Sequence, residues 1–403
     1  MEGYLDQAEI LLRGVVQSRD ISTLIVLHHL RDLAGVLDSL KLYDECRLTG
    51  NCALDLAEAL GRRSLDFRQE QAETIALIAL LPVYQPRART LFIQAVSICE
   101  EVVENNPSYS NKNKLLTVLH RAGYWASGHL SAQWLERAIQ LMTKELPPTM
   151  VHPHFRSAIY YNYGNGLGQL KQYANATEAY HESISILRIL VNSNPAKYKY
   201  YFAETLNNMG GTLDNLGQYD GAITAYQEAL DIYTAMSAQG TLQHSELAAT
   251  TLNNYGNTLL KLSRPSEAAA MQEQAISFYR NLAQTGHECT QFLCNALHNY
   301  GNSCYSLGKH AEAVLAYQES ILLRRARAAT DSEEESHLRV TLHHIANSFN
   351  GFGKYVEANT AAIEFLERNH GRVFEWCNYA PDFKSCFVCQ RVTRKREKFL
   401  GLF

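Results

Sequence analysis

The sequence predicts an all-α protein, a right-handed superhelical solenoid in which antiparallel helix pairs stack on one another. Three observations support this fold class. A short motif recurs every 45 or 46 residues, apolar residues follow the helical period, and glycine (23) and proline (9) are scarce among the 403 residues. A chain of this length is too long for one ordinary compact core, which agrees with a repeat array.

The first helix of each repeat is marked by a small residue in a common setting. Leu206-Asn-Asn-Met-Gly210 returns as Leu252-Asn-Asn-Tyr-Gly256 and as Leu297-His-Asn-Tyr-Gly301. The steps between successive small residues are 46, 46, 45 and 45, at Gly164, Gly210, Gly256, Gly301 and Ala346. Copies of one helical element in such regular register are expected to stack, because a single pair leaves an apolar face bare.

A second helix follows in the same register. In the repeat that contains Gly210, the apolar residues that share one face of this helix are Ala222, Ala225, Tyr226, Ala229 and Tyr233. The small residues Gly210 and Ala222 predict a close approach of the two helices. Gly217 stands between them, and it suits the left-handed turn that follows a helix end. Gly308 and Gly353 repeat this turn.

The chain is predicted to contain three regions. Residues 1–146 hold about three degenerate helical repeats, residues 155–370 hold five regular repeats, and residues 371–403 form a basic tail that contains cysteines. Proline residues mark the joint between the irregular and the regular part, at Pro147, Pro148 and Pro153.

These motifs resemble the tetratricopeptide repeat. The small residue of the first helix and the Ala-x3-aromatic pattern of the second are met by Gly210, Ala222 and Tyr226. The chain departs from that family in its period, about 45 rather than about 34 residues, and in lacking a proline that closes each repeat. Long repeats with Leu-Asn-Asn resemble the kinesin light chain type, which also forms the repeat arms of some signalling NTPases.

The resemblance implies a concave groove in which the first helices hold an extended peptide. Its groove positions include those three before and one after the small residue, and amides also stand two before it. Carried over to this chain, these positions are Tyr161, Asn162, Asn165, Asn207, Asn208, Asn253, Asn254, Asn257, His298, Asn299, Asn302, His343 and Asn347.

A ladder of side-chain amides suits an extended ligand, because each amide offers a donor and an acceptor to a peptide backbone. The alternative stays open that these asparagines only join neighbouring helices, since buried amides need partners. Selectivity would come from neighbours such as Asp214, Lys261, Tyr305 and Asn350. The family's carboxylate clamp uses Lys and Arg, and the corresponding positions here hold Asn, His or Tyr, so we expect no such clamp.

Histidine and cysteine residues raise the question of a metal site. His298, His343 and His344 are predicted to lie close together, either ionising near pH 6 or staying neutral, and the pattern does not supply the further ligand that a metal site built from them would need. Cys386-Phe-Val-Cys389 is half of a zinc site, and the spacing of His370 and Cys377 completes it poorly. We therefore predict no metal and no cofactor.

Charge and motifs exclude several function classes. The net charge of −4 gives no general reason to bind nucleic acid or an anionic membrane. Apolar stretches are too short to cross a bilayer, and the first residues do not resemble a secretory signal. With dispersed cysteines, this indicates a cytoplasmic protein, or a nuclear one if the basic run at 391–398 is an address. Phosphate-loop, nucleophile-elbow and zinc-protease motifs are absent, so we predict no enzyme.

The sequence therefore predicts a non-enzymatic scaffold or adaptor that binds a peptide segment of a partner protein in the Asn-rich groove. The alternative is the sensor or oligomerising arm of a signalling assembly. Its NTPase or protease effector would then lie on another chain or be missing from this gene model. Self-association has no support in the sequence.

Overall fold

A computed structural model describes residues 22–62, 65–237, 242–328 and 332–354, together with helical positions 357, 358, 360, 361, 364 and 368. Within these residues the regular secondary structure is helical and contains no strand, which confirms the all-α prediction. The chain divides into two compact units, Met1–Tyr198 and Lys199–Phe403. The domain limits read from the sequence remain a prediction.

The first unit is a series of helices in which consecutive helices pack together. They are α1 (Ser22–Ser39), α2 (Tyr43–Gly61), α3 (Leu65–Ile78), α4 (Gln85–Asn105), α5 (Tyr109–Trp125), α6 (Gly128–Gln140), α7 (Pro153–Gln169) and α8 (Tyr173–Ser193). Between α6 and α7 lie a π-helical turn, Leu141–Glu145, and a 3₁₀ turn, Pro148–Met150. Of the prolines that predicted a joint, Pro147 and Pro148 lie in this irregular segment and Pro153 is the first residue of α7, where its missing N–H has no helical partner.

The second unit continues the pattern of helix pairs. Its helices are α9 (Pro195–Asn215, which begins in the last residues of the first unit), α10 (Tyr219–Ser237), α11 (Leu242–Lys261), α12 (Pro265–Gln284), α13 (Thr290–Ser306), α14 (His310–Ala328) and α15 (Ser332–Gly351). Pro195 and Pro265 stand at the start of their helices, where a fixed φ favours the first turn and the missing N–H would have no helical partner.

In three of the five regular pairs, a glycine of the first helix packs against a tyrosine of the second. A Cβ atom at Gly164, Gly210 or Gly301 would lie 2.7, 2.7 or 2.5 Å from the ring of Tyr180, Tyr226 or Tyr317, respectively. These rings are almost fully buried. The recurring glycine is therefore required because the tyrosine of the second helix packs directly on the backbone of the first.

The turn between the two helices follows one rule. The residue seven positions after the small residue takes a left-handed conformation, as the sequence predicts for Gly217 (φ 75°), Gly308 (φ 72°) and Gly353 (φ 78°). Lys41, Lys171 and Ser263 adopt φ values of 59°, 59° and 58° at the same position of other pairs. Lys41 follows Ala34 by seven residues, so the α1–α2 pair uses the register of the regular repeats.

Candidate functional site

In three pairs, the amide one position after the small residue contacts the second helix of its own pair. In the second unit, the Tyr317 hydroxyl donates to Asn302 Oδ1 at 2.6 Å, and the carboxamides of Asn257 and Gln272 lie 3.2 Å apart. In the first unit, Tyr180 donates to Asn165 Oδ1 at 2.6 Å. A bond to one end of a carboxamide fixes its orientation and leaves the other end for a further partner.

The first unit contains a related contact that the sequence analysis missed. The Tyr84 hydroxyl donates to Asn51 Oδ1 at 2.9 Å, and Asn51 follows Gly50, whose Cβ would lie 2.6 Å from the tyrosine. The Gly-Asn dipeptide could have indicated this contact. The sequence pattern does not reveal it, because Asn51 and Tyr84 are 33 residues apart, whereas Asn165 and Tyr180 are 15 residues apart.

The amides two and three positions before the small residue join successive first helices. Asn299 Nδ2 donates to Asn253 Oδ1 at 3.0 Å, which connects α13 to α11. Thr251 Oγ1 donates to Asn207 Oδ1 at 3.1 Å, which connects α11 to α9. These contacts favour the helix-joining interpretation at Asn207, Asn253 and Asn299.

Other residues of the predicted set also lie between side chains of the protein. In the first unit, Asn162 Nδ2 lies 3.0 Å from His120 Nε2, and the Tyr161 ring packs at 6.2 Å from that of Tyr180. In the second unit, Asn208 Oδ1 accepts from Asn207 Nδ2 at 3.4 Å. All three predicted residues of α7 thus have contacts within the first unit.

A groove opens in the second unit between α9 and α11. Its volume is about 600 Å³, and its lining consists of Gly211, Asp214, Asn215, Tyr226, Asn254, Asn257, Leu260 and Lys261. The structure thus brings together two of the predicted groove amides, Asn254 and Asn257, with two of the predicted selectivity residues, Asp214 and Lys261. Asn302 and Asn347 lie on α13 and α15 and do not line this groove.

The charges in the groove are balanced. Asp214 Oδ1 accepts from Thr258 Oγ1 at 2.9 Å, and its second carboxylate oxygen pairs with Lys261. Burial, together with the charge of Asp214, raises the pKa of Tyr226 well above its usual range. Tyr226 therefore keeps its hydroxyl proton at neutral pH, and it hydrogen bonds to Thr258.

The predicted histidine cluster is present in the second unit, and it favours the neutral alternative. The ring centroids of His298 and His344 are 5.0 Å apart, and those of His343 and His344 are 5.4 Å apart. Burial lowers the pKa of His344 to about 3 and that of His298 well below its usual range. His343 contacts Asn347, with Nε2 and Nδ2 3.5 Å apart.

Within the described ranges, no group of three or more histidine, cysteine, aspartate or glutamate residues could hold a metal ion. No helix in those ranges is both long and apolar enough to cross a bilayer. Cys377, Cys386, Cys389 and His370, with the basic run at 391–398, lie outside the described residues.

Two segments match family models of the tetratricopeptide repeat, residues 201–281 and residues 295–327. The first match spans α9 to α12, and therefore contains the groove between α9 and α11. No curated protein matches the chain in sequence.

Solved structures match this chain at low sequence identity. The apo form of RapI is 11% identical with a TM-score of 0.58, over 93% of this chain and 99% of that one. Aspartyl phosphate phosphatase F from Bacillus subtilis is 12% identical with a TM-score of 0.49, over 96% and 86%. The TPR-like repeats of a Podosopora anserina putative kinesin light chain are 14% identical (TM-score 0.43), over 54% and 96%.

Proposed function

Because this chain is a tetratricopeptide repeat protein, we propose that it binds an extended segment of a partner protein through the groove between α9 and α11. Such repeats generally form non-catalytic interaction scaffolds, and we propose no enzymatic activity for this chain. The observation that carries the proposal is the groove itself. It has a volume of about 600 Å³ and is lined by carboxamides, a hydroxyl and a balanced ion pair.

The carboxamides of Asn254 and Asn257 are the groups proposed to contact the partner backbone. Both line the groove, and Asn257 is oriented by its contact with Gln272 on α12. An extended segment has unpaired N–H and C=O groups, so amides held in fixed orientations pair with it at a small entropic cost. Asn302 on α13 is oriented in the same way by Tyr317, and it would extend the contact along the first helices.

The remaining predicted amides receive a supporting role in this proposal. Asn207, Asn253 and Asn299 hold neighbouring first helices at a fixed spacing through their bonds to each other and to Thr251. A constant spacing matters for an extended ligand, because its own repeat distance must match that of the helices that bind it.

A peptide library displayed on phage tests the proposal. We expect wild-type protein to select peptides whose affinity falls roughly tenfold or more in the double variant Asn254→Ala, Asn257→Ala, since each lost hydrogen bond contributes about 1 kcal/mol. Asn175→Ala, an exposed amide on α8, is the matched control and should bind as wild type does. Failure to select any peptide, or equal binding by the double variant, would overturn the proposal.

A further inference from the structure

The groove differs from the other Tyr-containing pairs at one residue. Tyr84, Tyr180 and Tyr317 each donate to an asparagine that directly follows a glycine. Tyr226 packs on Gly210 in the same way, but the next residue is Gly211, which has no side chain, and the Tyr226 hydroxyl bonds to Thr258 instead of to an asparagine. We call the space beside Gly211 and Tyr226 the Gly211 notch; it belongs to the groove whose lining also includes Asp214, Asn254 and Asn257.

The notch lies where the missing carboxamide would stand. A Cβ atom built on Gly211 would be 3.5 Å from the Tyr226 hydroxyl oxygen, an ordinary van der Waals distance, with no other contact within 4 Å. The position therefore has room for a side chain. That room belongs to the groove, which leaves it available to a group supplied by a ligand.

The chemistry of the notch favours a neutral group that both donates and accepts. Asp214 and Lys261 neutralise each other, so the groove offers no uncompensated charge to pair with a carboxylate, ammonium or guanidinium group of a ligand. Tyr226 bonds to Thr258 and one end of the Asn257 carboxamide contacts Gln272, so an apolar side chain would leave the remaining hydrogen-bonding capacity of both residues unused. A carboxamide can donate to Asp214 or Tyr226 and accept from an asparagine amide.

We propose that the Gly211 notch binds the side-chain carboxamide of an asparagine or glutamine in the partner segment. The ligand would place a carboxamide beside Tyr226, as Asn165 does beside Tyr180 and Asn302 does beside Tyr317. The proposed peptide groove would thus be specific for segments that contain Asn or Gln at one position, and this inference rests on the proposed function.

The test is the substitution Gly211→Asn, which fills the notch with the side chain found in the other pairs. Peptides selected from the library on wild-type protein should carry Asn or Gln at one fixed position. Synthetic peptides with Asp or Leu at that position should bind at least roughly tenfold more weakly to wild type. On Gly211→Asn the preference for the amide should disappear. Gly168→Asn on α7, where a Cβ meets nothing within 4 Å, is the matched control.

The outcomes separate this inference from the proposed function. Peptides that bind the groove without an amide preference, or that keep the preference on Gly211→Asn, would overturn the notch assignment and leave the groove intact. If no peptide is selected at all, both proposals fail. Circular dichroism and urea unfolding of Gly211→Asn show whether a loss of binding reflects the notch or a loss of fold.

Discussion

Two adjacent glycines of α9 have different structural roles at the residue scale. The Cβ of an alanine at Gly210 would lie 2.7 Å from the buried ring of Tyr226, whereas at Gly211 it would meet only the hydroxyl at 3.5 Å. We expect Gly210→Ala to lower the free energy of unfolding by about 1–3 kcal/mol through overpacking. Gly211→Ala should leave it unchanged or raise it by up to about 1 kcal/mol, because alanine favours the helix.

Urea unfolding followed by circular dichroism measures both changes. Because the two variants introduce the same methyl group one residue apart, helix propensity cancels in their comparison. Equal stabilities would show that the Tyr226 ring moves aside without cost, and the packing role assigned to the recurring glycine would then be wrong.

At the scale of elements, the helices α13, α14 and α15 enclose ionisable groups that make protonation of the buried His298 and His344 unfavourable. The charges that act on His298 come from His344, Arg324 and His337, while His343 acts on His344. Arg324 is 2% exposed and pairs with the fully buried Glu334 at 2.7 Å. A proton added to either His298 or His344 would thus be buried beside other cationic or ionisable groups.

This arrangement predicts a loss of stability in mild acid. The folded-state pKa of His298 and His344 is lowered, so their contribution is complete above about pH 6.5 and is lost as the pH falls below that value. At pH 5 the loss should be about 2 kcal/mol for His344, whose pKa is lowered to about 3, with a further loss in the same direction from His298. The free energy of unfolding, measured in urea with a probe placed in α13–α15, should be compared at pH 7.5 and pH 5 to test this prediction.

The variant His344→Phe provides the control, because phenylalanine fills a similar volume and does not titrate. Its stability should fall less between pH 7.5 and pH 5 than that of wild type, by about the contribution of one histidine. An identical pH response in the two proteins would mean that the acid sensitivity arises from other groups.

Elements were more predictable from the sequence than contacts between side chains. The turn rule could be read from Gly217, and it extends to Lys41, which occupies the same position seven residues after Ala34. That extension was hard to see because a lysine carries no sequence signal for a left-handed backbone. Turn geometry persists there because the packing of both helices fixes it.

The candidate site was predictable only in part, since a face of a helix does not specify which neighbour each side chain reaches. Asn253 and Asn254 are adjacent and have the same chemistry, yet Asn253 bonds to Asn299 and Asn254 lines the groove. The groove also depends on Gly211, which has no side chain where other pairs have an asparagine. A pattern of residues that are present does not reveal the space left by one that is absent.

At the scale of the whole molecule, stability should be distributed locally. In a repeat array each helix pair contacts its neighbours, so a local defect is expected to weaken nearby pairs and to leave distant ones intact. Gly164 in the first unit and Gly301 in the second pack on Tyr180 and Tyr317 in the same way. The pair Gly164→Ala and Gly301→Ala therefore places the same defect in each unit.

Hydrogen exchange measured by mass spectrometry on the full chain tests this expectation. Gly301→Ala should speed amide exchange in α13 and α14 and in the adjoining α12 and α15, because the displaced Tyr317 ring loosens its own pair first. It should leave α1–α6 at the wild-type rate. Gly164→Ala should speed exchange in α7 and α8 and leave α12–α15 unchanged. If either variant speeds exchange equally in both units, the chain unfolds as one cooperative body, and the neighbour-based account of its stability is wrong.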